Sequence, residues 1–251
     1  MKIHIAKDRD ALGKKSADVV IAEMRRLLAE KGRVVMILAT GASQFEFLGH
    51  LTADPALDWS KVVAFHLDEY VGLPVTHPAS FRNYLRERFL AKLPNPIGAF
   101  HEVNGENDPA AECERLNALI AQYDVDLCCM GIGENSHIAF NDPPADFETE
   151  TPFIIVALDA ACRQQQVNEG WFATLNDVPK QAISMSVRQI MKSRMLVNSV
   201  PGTCKAQAVK WTLEEAISPA YPATILRTHP NCCLNLDVDS AALVAGEKPT
   251  T

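Results

Sequence analysis

Asp68 and Glu69 are adjacent carboxylates in HLDEYVGLP (66–74), directly after an apolar run. Two like charges held together and partly buried repel each other, and one is lifted towards the pKa of a working base. The plain alternative is that Asp68 caps the next turn and Glu69 faces solvent. His137 lies in GIGENSHIAFNDP (131–143), with Asn135 two residues before it and Asp142 five after. Such neighbours can hydrogen-bond one ring nitrogen and leave the other for proton transfer. Gly131 and Gly133 let backbone approach a ligand. Thr40, Gly41, Ala42 and Ser43 form a third turn, whose N–H and hydroxyl groups suit a phosphate; otherwise Ser43 is an ordinary helix cap. The turn matches neither GxxxxGK[ST] nor GxGxxG. Lys205, in VPGTCK (200–205), stands at a helix start, where a cation opposes the helix dipole. Ligand binding is therefore favoured there over a structural role.

Each of these groups follows a run that reads as a strand. Apolar runs at 3–5, 33–39, 62–67, 127–130, 154–158, 182–185, 195–198 and 234–236 alternate with helical patterns at 8–30, 44–51, 80–91, 110–123, 187–192 and 204–217, with a small helix at 240–244. Near-continuous apolar strands between amphipathic helices predict an α/β fold. The expected form is one domain over 1–251, a mostly parallel, Rossmann-like sheet with helices on both faces. In such open sheets, ligands sit beyond the carboxyl ends of the strands. All four candidate groups lie there.

Composition narrows the partners. The 251 residues carry 24 basic and 31 acidic side chains, a formal charge of −7. With no basic stretch to track a backbone, nucleic acid is excluded as the main partner. No apolar stretch reaches the roughly 20 residues of a membrane span, and the charged start MKIHIAKDRDAL is unlike a signal peptide. The seven cysteines form no CxxC pair and have apolar neighbours. They read as free buried thiols in a reducing compartment, so a soluble, cytoplasmic protein is expected. No His/Cys run has metal-ligand spacing, and no metal is expected.

At these residues the chain resembles the glucosamine-6-phosphate deaminase/isomerase family, whose superfamily also holds the 6-phosphogluconolactonases. LDEYVGLP with THPASF (67–81) and GIGENSHIAFNDP (131–143) carry the resemblance most strongly. LATGAS (38–43), DVPKQAISMSV (177–187) and GTCKA (202–206) add to it, in the family's order, over about residues 3 to 245. DEY in place of DER, and HIAFN in place of HTASLFP, resemble the deaminase branch. The resemblance implies conversion of a hexosamine 6-phosphate to the ketohexose 6-phosphate and ammonia, with no metal or organic cofactor. It implies Asp68 as the base that carries the C2 proton to C1 and His137 as the residue that opens the ring. Thr40, Gly41, Ala42, Ser43 and Lys205 match phosphate-binding positions, and Glu69 takes a supporting place beside the base.

Three departures bear on that expectation. Asn135 stands where some members have Asp; an amide can orient imidazole but cannot stabilise imidazolium by charge, so His137 must lean on Asp142, shorter than the family's usual Glu. The lid segment CRQQQVNEGWF (162–172) lacks the family's phosphate-gripping Arg, with Asn168 near its place and Arg163 as the substitute candidate. Pro152-Phe153-Ile154 replaces basic allosteric positions. The altered lid leaves room for galactosamine 6-phosphate as well as the gluco epimer. A lactonase, with His137 activating water, is the second expectation, and a catalytically silent sugar-phosphate sensor a third. Sensors of this fold carry a helix-turn-helix region before the sheet, whereas here the first strand starts at about residue 2. The oligomeric state, a homo-oligomer included, is left open.

Overall fold

The computed structural model describes residues 1–244. Strand β2 (Val34–Leu38) is the sequence VVMIL and is buried at every position. Its successive side chains go to opposite faces: Val34, Met36 and Leu38 join one core, and Val35 and Ile37 join the other. That is why the strand carries no polar alternation. The same logic holds for the other central strands of a parallel seven-stranded sheet. The sheet comprises β1 (Lys2–Ala6), β2, β3 (Val62–His66), β5 (Ala99–His101), β6 (Leu127–Met130), β9 (Met195–Val200) and β10 (Cys232–Asp237), in the order β1-β10-β9-β6-β2-β3-β5.

Helices α1 (Arg9–Lys31), α2 (Phe45–Thr52) and α3 (Phe81–Arg88) cover one face, packing Val20, Met24, Phe47, Leu51 and Leu85 into its core. Helices α4 (Pro109–Ile120), α6 (Val187–Met191) and α7 (Ala206–Glu214) cover the other, through residues such as Leu116, Ile190 and Val209. The helix starts follow local chemistry. Asp8, Ser80, Asp108 and Ser186 each accept a backbone N–H as N-caps, and Pro109 opens α4. Helix α1 ends at Gly32 in the left-handed conformation, whose N–H returns to the Leu28 carbonyl.

The sheet prediction needs a correction at two strands. Strands β7 (Phe153–Ala157) and β8 (Gln181–Met185) do not join the parallel sheet. They form a second, antiparallel sheet with β4 (Asp68–Tyr70), in the order β4-β8-β7. Its core side meets the large sheet's outer helices, while Ile155 is 42% exposed. FIIVA is uniformly apolar, so its half-exposed setting left no mark in the residue types. Helix α5 (Ala160–Asn168), the short strands β4 and β5, and the turns that replace the expected helix at 240–244 are the other differences.

One corner joins the two sheets. Leu67 donates its N–H to Leu38 of the large sheet at 3.1 Å and accepts from Met185 of the small one at 3.0 Å. The chain thus leaves β3 and enters β4 within a single residue. Asp68 begins the new strand, paired with Ser184.

Candidate active site

A cavity of about 210 Å³ opens beyond the carboxyl ends of β2, β3, β6 and β9. Its wall includes Thr40, Gly41, Ala42, Ser43, Asp68, His137 and Lys205. Seven of the expected site residues, from four separate segments, therefore meet at one place.

Two of the turns have nearly the same shape. After β2, Gly41 adopts φ 94° and ψ 169°, followed by a 3₁₀ turn at Ala42–Gln44 and then α2. After β9, Gly202 adopts φ 93° and ψ 153°, followed by a 3₁₀ turn at Thr203–Lys205 and then α7. Strand β6 lies between β2 and β9, so the two turns flank its end symmetrically. Residues of both turns line the cavity: Thr40, Gly41, Ala42 and Ser43 from the first, Pro201, Cys204 and Lys205 from the second. Tyr84 Oη donates to the Gly41 carbonyl at 2.9 Å, and Gln44 Nε2 donates to Ser43 Oγ at 2.9 Å. Lys205 is only 6% exposed and pairs with no carboxylate among the described residues.

Asp68, 6% exposed, has its carboxyl pushed up to about 8, chiefly by burial and then by the charge of Glu69. Glu69 turns the other way. Fully buried, it accepts from the N–H groups of Tyr70 (2.9 Å), Phe81 (3.2 Å) and Arg82 (2.8 Å) and from Ser80 Oγ (3.0 Å). Burial raises its pKa against the pull of those bonds. Glu69 thus anchors the start of α3, and the cavity wall does not include it.

His137 sits in a strained loop. Ser136 and Ala139, neither of them glycine, hold φ values of 73° and 52°, a cost that persists where the surroundings over-determine the backbone. The imidazole lies flat on Gly133: a Cβ there would come within 2.2 Å of Nε2. Nδ1 is buried 3.1 Å from Asp142 Oδ1, a close but poorly aligned contact. Asn135 does not touch the ring. Its Nδ2 donates to Asp142 Oδ1 (3.1 Å) and Asp159 Oδ2 (3.3 Å), and its Oδ1 accepts from the His137 N–H. Burial pushes Asp142 up, but His137, Asn135 and the Asp159 N–H together outweigh it and hold the carboxyl below its ordinary value.

Arg163 is not brought to the cavity. Its guanidinium donates to the carbonyls of Leu175 and Val178, tying down the segment after α5. Gln165 and Gln166 of α5, with Glu169 just after its end, line the cavity instead. Sequence reasoning also missed Arg9, which lines the cavity while donating to the Ala42 carbonyl (2.7 Å) and pairing with Glu46 (3.2 Å). A cation in the first turn of α1 opposes the helix dipole, the same signal that marked Lys205. All seven cysteines are free; Cys204 is exposed and the other six are buried. Among the described residues, no helix is long and apolar enough to cross a membrane.

Comparisons with known proteins point to one family. A glucosamine-6-phosphate deaminase of Geobacillus sp. (strain WCH70) is 35% identical over 253 residues, covering 99% of this chain and 98% of that protein. One from Streptococcus suis (strain 05ZYH33) is 36% identical, covering 96% and 99%. The solved structure of a monomeric glucosamine-6-phosphate deaminase superposes with a TM-score of 0.87 at 29% identity, over 97% of this chain and all of that one. A 6-phosphogluconolactonase from Trypanosoma brucei shares the fold, at a TM-score of 0.80 and 16% identity over 97% and 98%. A family model described as glucosamine-6-phosphate isomerases/6-phosphogluconolactonase matches residues 7–234. With its strand-end turns, corner carboxylate and ring-bearing loop converging on one cavity, the chain belongs to that family.

Proposed function

We propose that this protein converts a hexosamine 6-phosphate, glucosamine 6-phosphate in the first place, into the ketohexose 6-phosphate and ammonia. The observation that carries the reading is Asp68, a buried carboxyl raised to about 8, in a cavity whose other wall holds His137. A base matched to neutral pH beside a proton-transfer group is what an aldose–ketose shift needs. The two glycine turns and Lys205 hold the phosphate, and Arg9 braces the first turn.

With Nδ1 turned to Asp142, His137 presents Nε2 to the sugar. It takes the proton of the C1 hydroxyl and returns one to the ring oxygen, opening the ring. Asp68 then removes the proton on C2 and delivers it to C1, while the substrate's ammonium passes one proton to O1. These carbons are adjacent, so one carboxylate reaches both ends of the enolamine. Water adds at C2, ammonia leaves, and the ketose remains. The substrate's ammonium supplies an opposite charge that lowers Asp68 and favours its basic form. Asn135 orients Asp142, and Asp142 orients the ring.

Both sheets contribute wall residues, so the described residues work as one unit around the cavity. Free thiols fit the reducing cytoplasm. The lactonase reading rests on fold likeness and is the weaker one. The test is ammonia release from glucosamine and galactosamine 6-phosphates, coupled to detection of the ketose phosphate. Release that disappears in Asp68→Asn supports the proposal. No ammonia from either epimer, or faster hydrolysis of 6-phosphogluconolactone, overturns it.

A further inference from the structure

Cys162 lies far from His137 and Asp142 in sequence, and no ligand-like spacing links them. The fold brings them together. Asp159 caps α5 by accepting the Cys162 N–H at 2.5 Å, and the Cys162 side chain, 1% exposed, is turned inward. A ring nitrogen of His137, an Asp142 carboxylate oxygen and Cys162 Sγ all lie within 4.8 Å of one another, and the nitrogen that faces Asp142 is Nδ1, 3.1 Å from Oδ1. Nδ1 is buried without a well-aligned hydrogen bond. Asp142 also lines a separate surface cleft together with Asp146 and Asp159, an acidic approach that does not pass through the substrate cavity.

We propose that His137 Nδ1, the Asp142 carboxylate and the Cys162 thiolate form a binding site for a thiophilic divalent cation such as zinc, and that its occupation switches His137 off. The donor set argues for the ion. Imidazole nitrogen with thiolate sulphur selects zinc-like metals over magnesium or calcium, which prefer oxygen throughout. Zinc bonds of about 2.0–2.3 Å place tetrahedral donors about 3.3–3.7 Å apart. Small side-chain rotations bring the three atoms to that spacing, and water fills the fourth position. Binding is balanced by protons: the metal enters, the Cys162 thiol releases one proton to solvent, and neutral His137 offers its Nδ1 lone pair. Nε2 then carries the ring's remaining hydrogen. It can donate but no longer accept, so it cannot relay the C1 hydroxyl proton.

The binding half stands apart from the proposed reaction, and only the switching half rests on it. Purified full-length chain is titrated with zinc chloride, and with cobalt chloride for its spectrum. The expected result is one ion per chain and a thiolate-to-cobalt charge-transfer band. In Cys162→Ser the band disappears and zinc affinity falls at least about 100-fold, more than loss of an outer partner costs. Cys204→Ser, at the exposed cysteine, keeps both. If Cys162→Ser folds poorly, His137→Gln must likewise weaken zinc binding. No stoichiometric binding by the parent, or the same band and affinity in Cys162→Ser, overturns the site. With hexosamine phosphate as substrate, saturating zinc stops turnover in the parent and spares it in Cys162→Ser. Binding through Cys162 with turnover intact overturns the switch.

Discussion

Asp68 holds its proton to about pH 8 because burial, and then Glu69, disfavours the carboxylate. A base must be unprotonated, so kcat/KM should rise towards pH 8, up to tenfold per unit, and level off above it; a flat profile from pH 6 to 9 contradicts the assignment. Asp68→Asn should lower kcat by about 10²–10⁴-fold. The same shift has a stability sign. The folded state binds this proton more tightly than the unfolded chain, whose pKa is about 3.9. Stability from this group therefore falls as pH rises from about 4 to about 8. Denaturant midpoints of parent and Asp68→Asn at pH 5 and 8 isolate the effect, because His66, buried and lowered to about 3, cancels in the difference. Gly133→Ala tests the ring beside it. Its Cβ would strike the His137 imidazole at 2.2 Å, and a displacement of that order should cost about 10²-fold in kcat.

At the scale of elements, the adjacent carboxylates divide their work, and this was only half legible. A charged pair after an apolar run marks a strand end, but nothing local says that β4 begins there or that Glu69 points into the fold. The hydrogen bonds that decide it come from Ser80, Phe81 and Arg82. Glu69→Ala strands those donors and the buried Arg82 guanidinium, 3.5 Å away. It should cost about 3–5 kcal/mol by chemical denaturation, while KM for the protein that remains folded stays near the parent's. Strands buried on both faces, such as β2 and β6, were readable because no other element explains four or five apolar residues in a row. Strands β7 and β8 look the same and pair differently, since their register is set by distant partners. Helix α5 has no apolar stripe, so spacing could not say which face meets the cavity. Arg163, its one charged residue, was the natural choice, yet it is spent on the carbonyls of Leu175 and Val178.

Over the whole molecule, a formal charge of −7 surrounds the site proposed for a phosphate. On that proposal the field that attracts phosphate is local: two helix-start turns, Lys205, and Arg9, which is already paired with Glu46. Lys205→Met should raise KM roughly 10–100-fold, the worth of one charge-assisted hydrogen bond. Raising ionic strength to the physiological level should raise the parent's KM less than about threefold, because a buried cation is poorly screened. A steep salt dependence would reveal a basic surface elsewhere. The matched turns at Gly41 and Gly202 have a further consequence, one of handedness. Their backbone angles combine positive φ with ψ near 180°, a region that glycine enters and an L-residue refuses. Nothing lies within 4 Å of where a side chain would start at either turn. Alanine at 41 or 202 would thus find room and still cost about 1–3 kcal/mol, for a reason of chirality alone. The proposed phosphate site thus lies where the chain sets aside the hand of its amino acids, once on each side of the central strand.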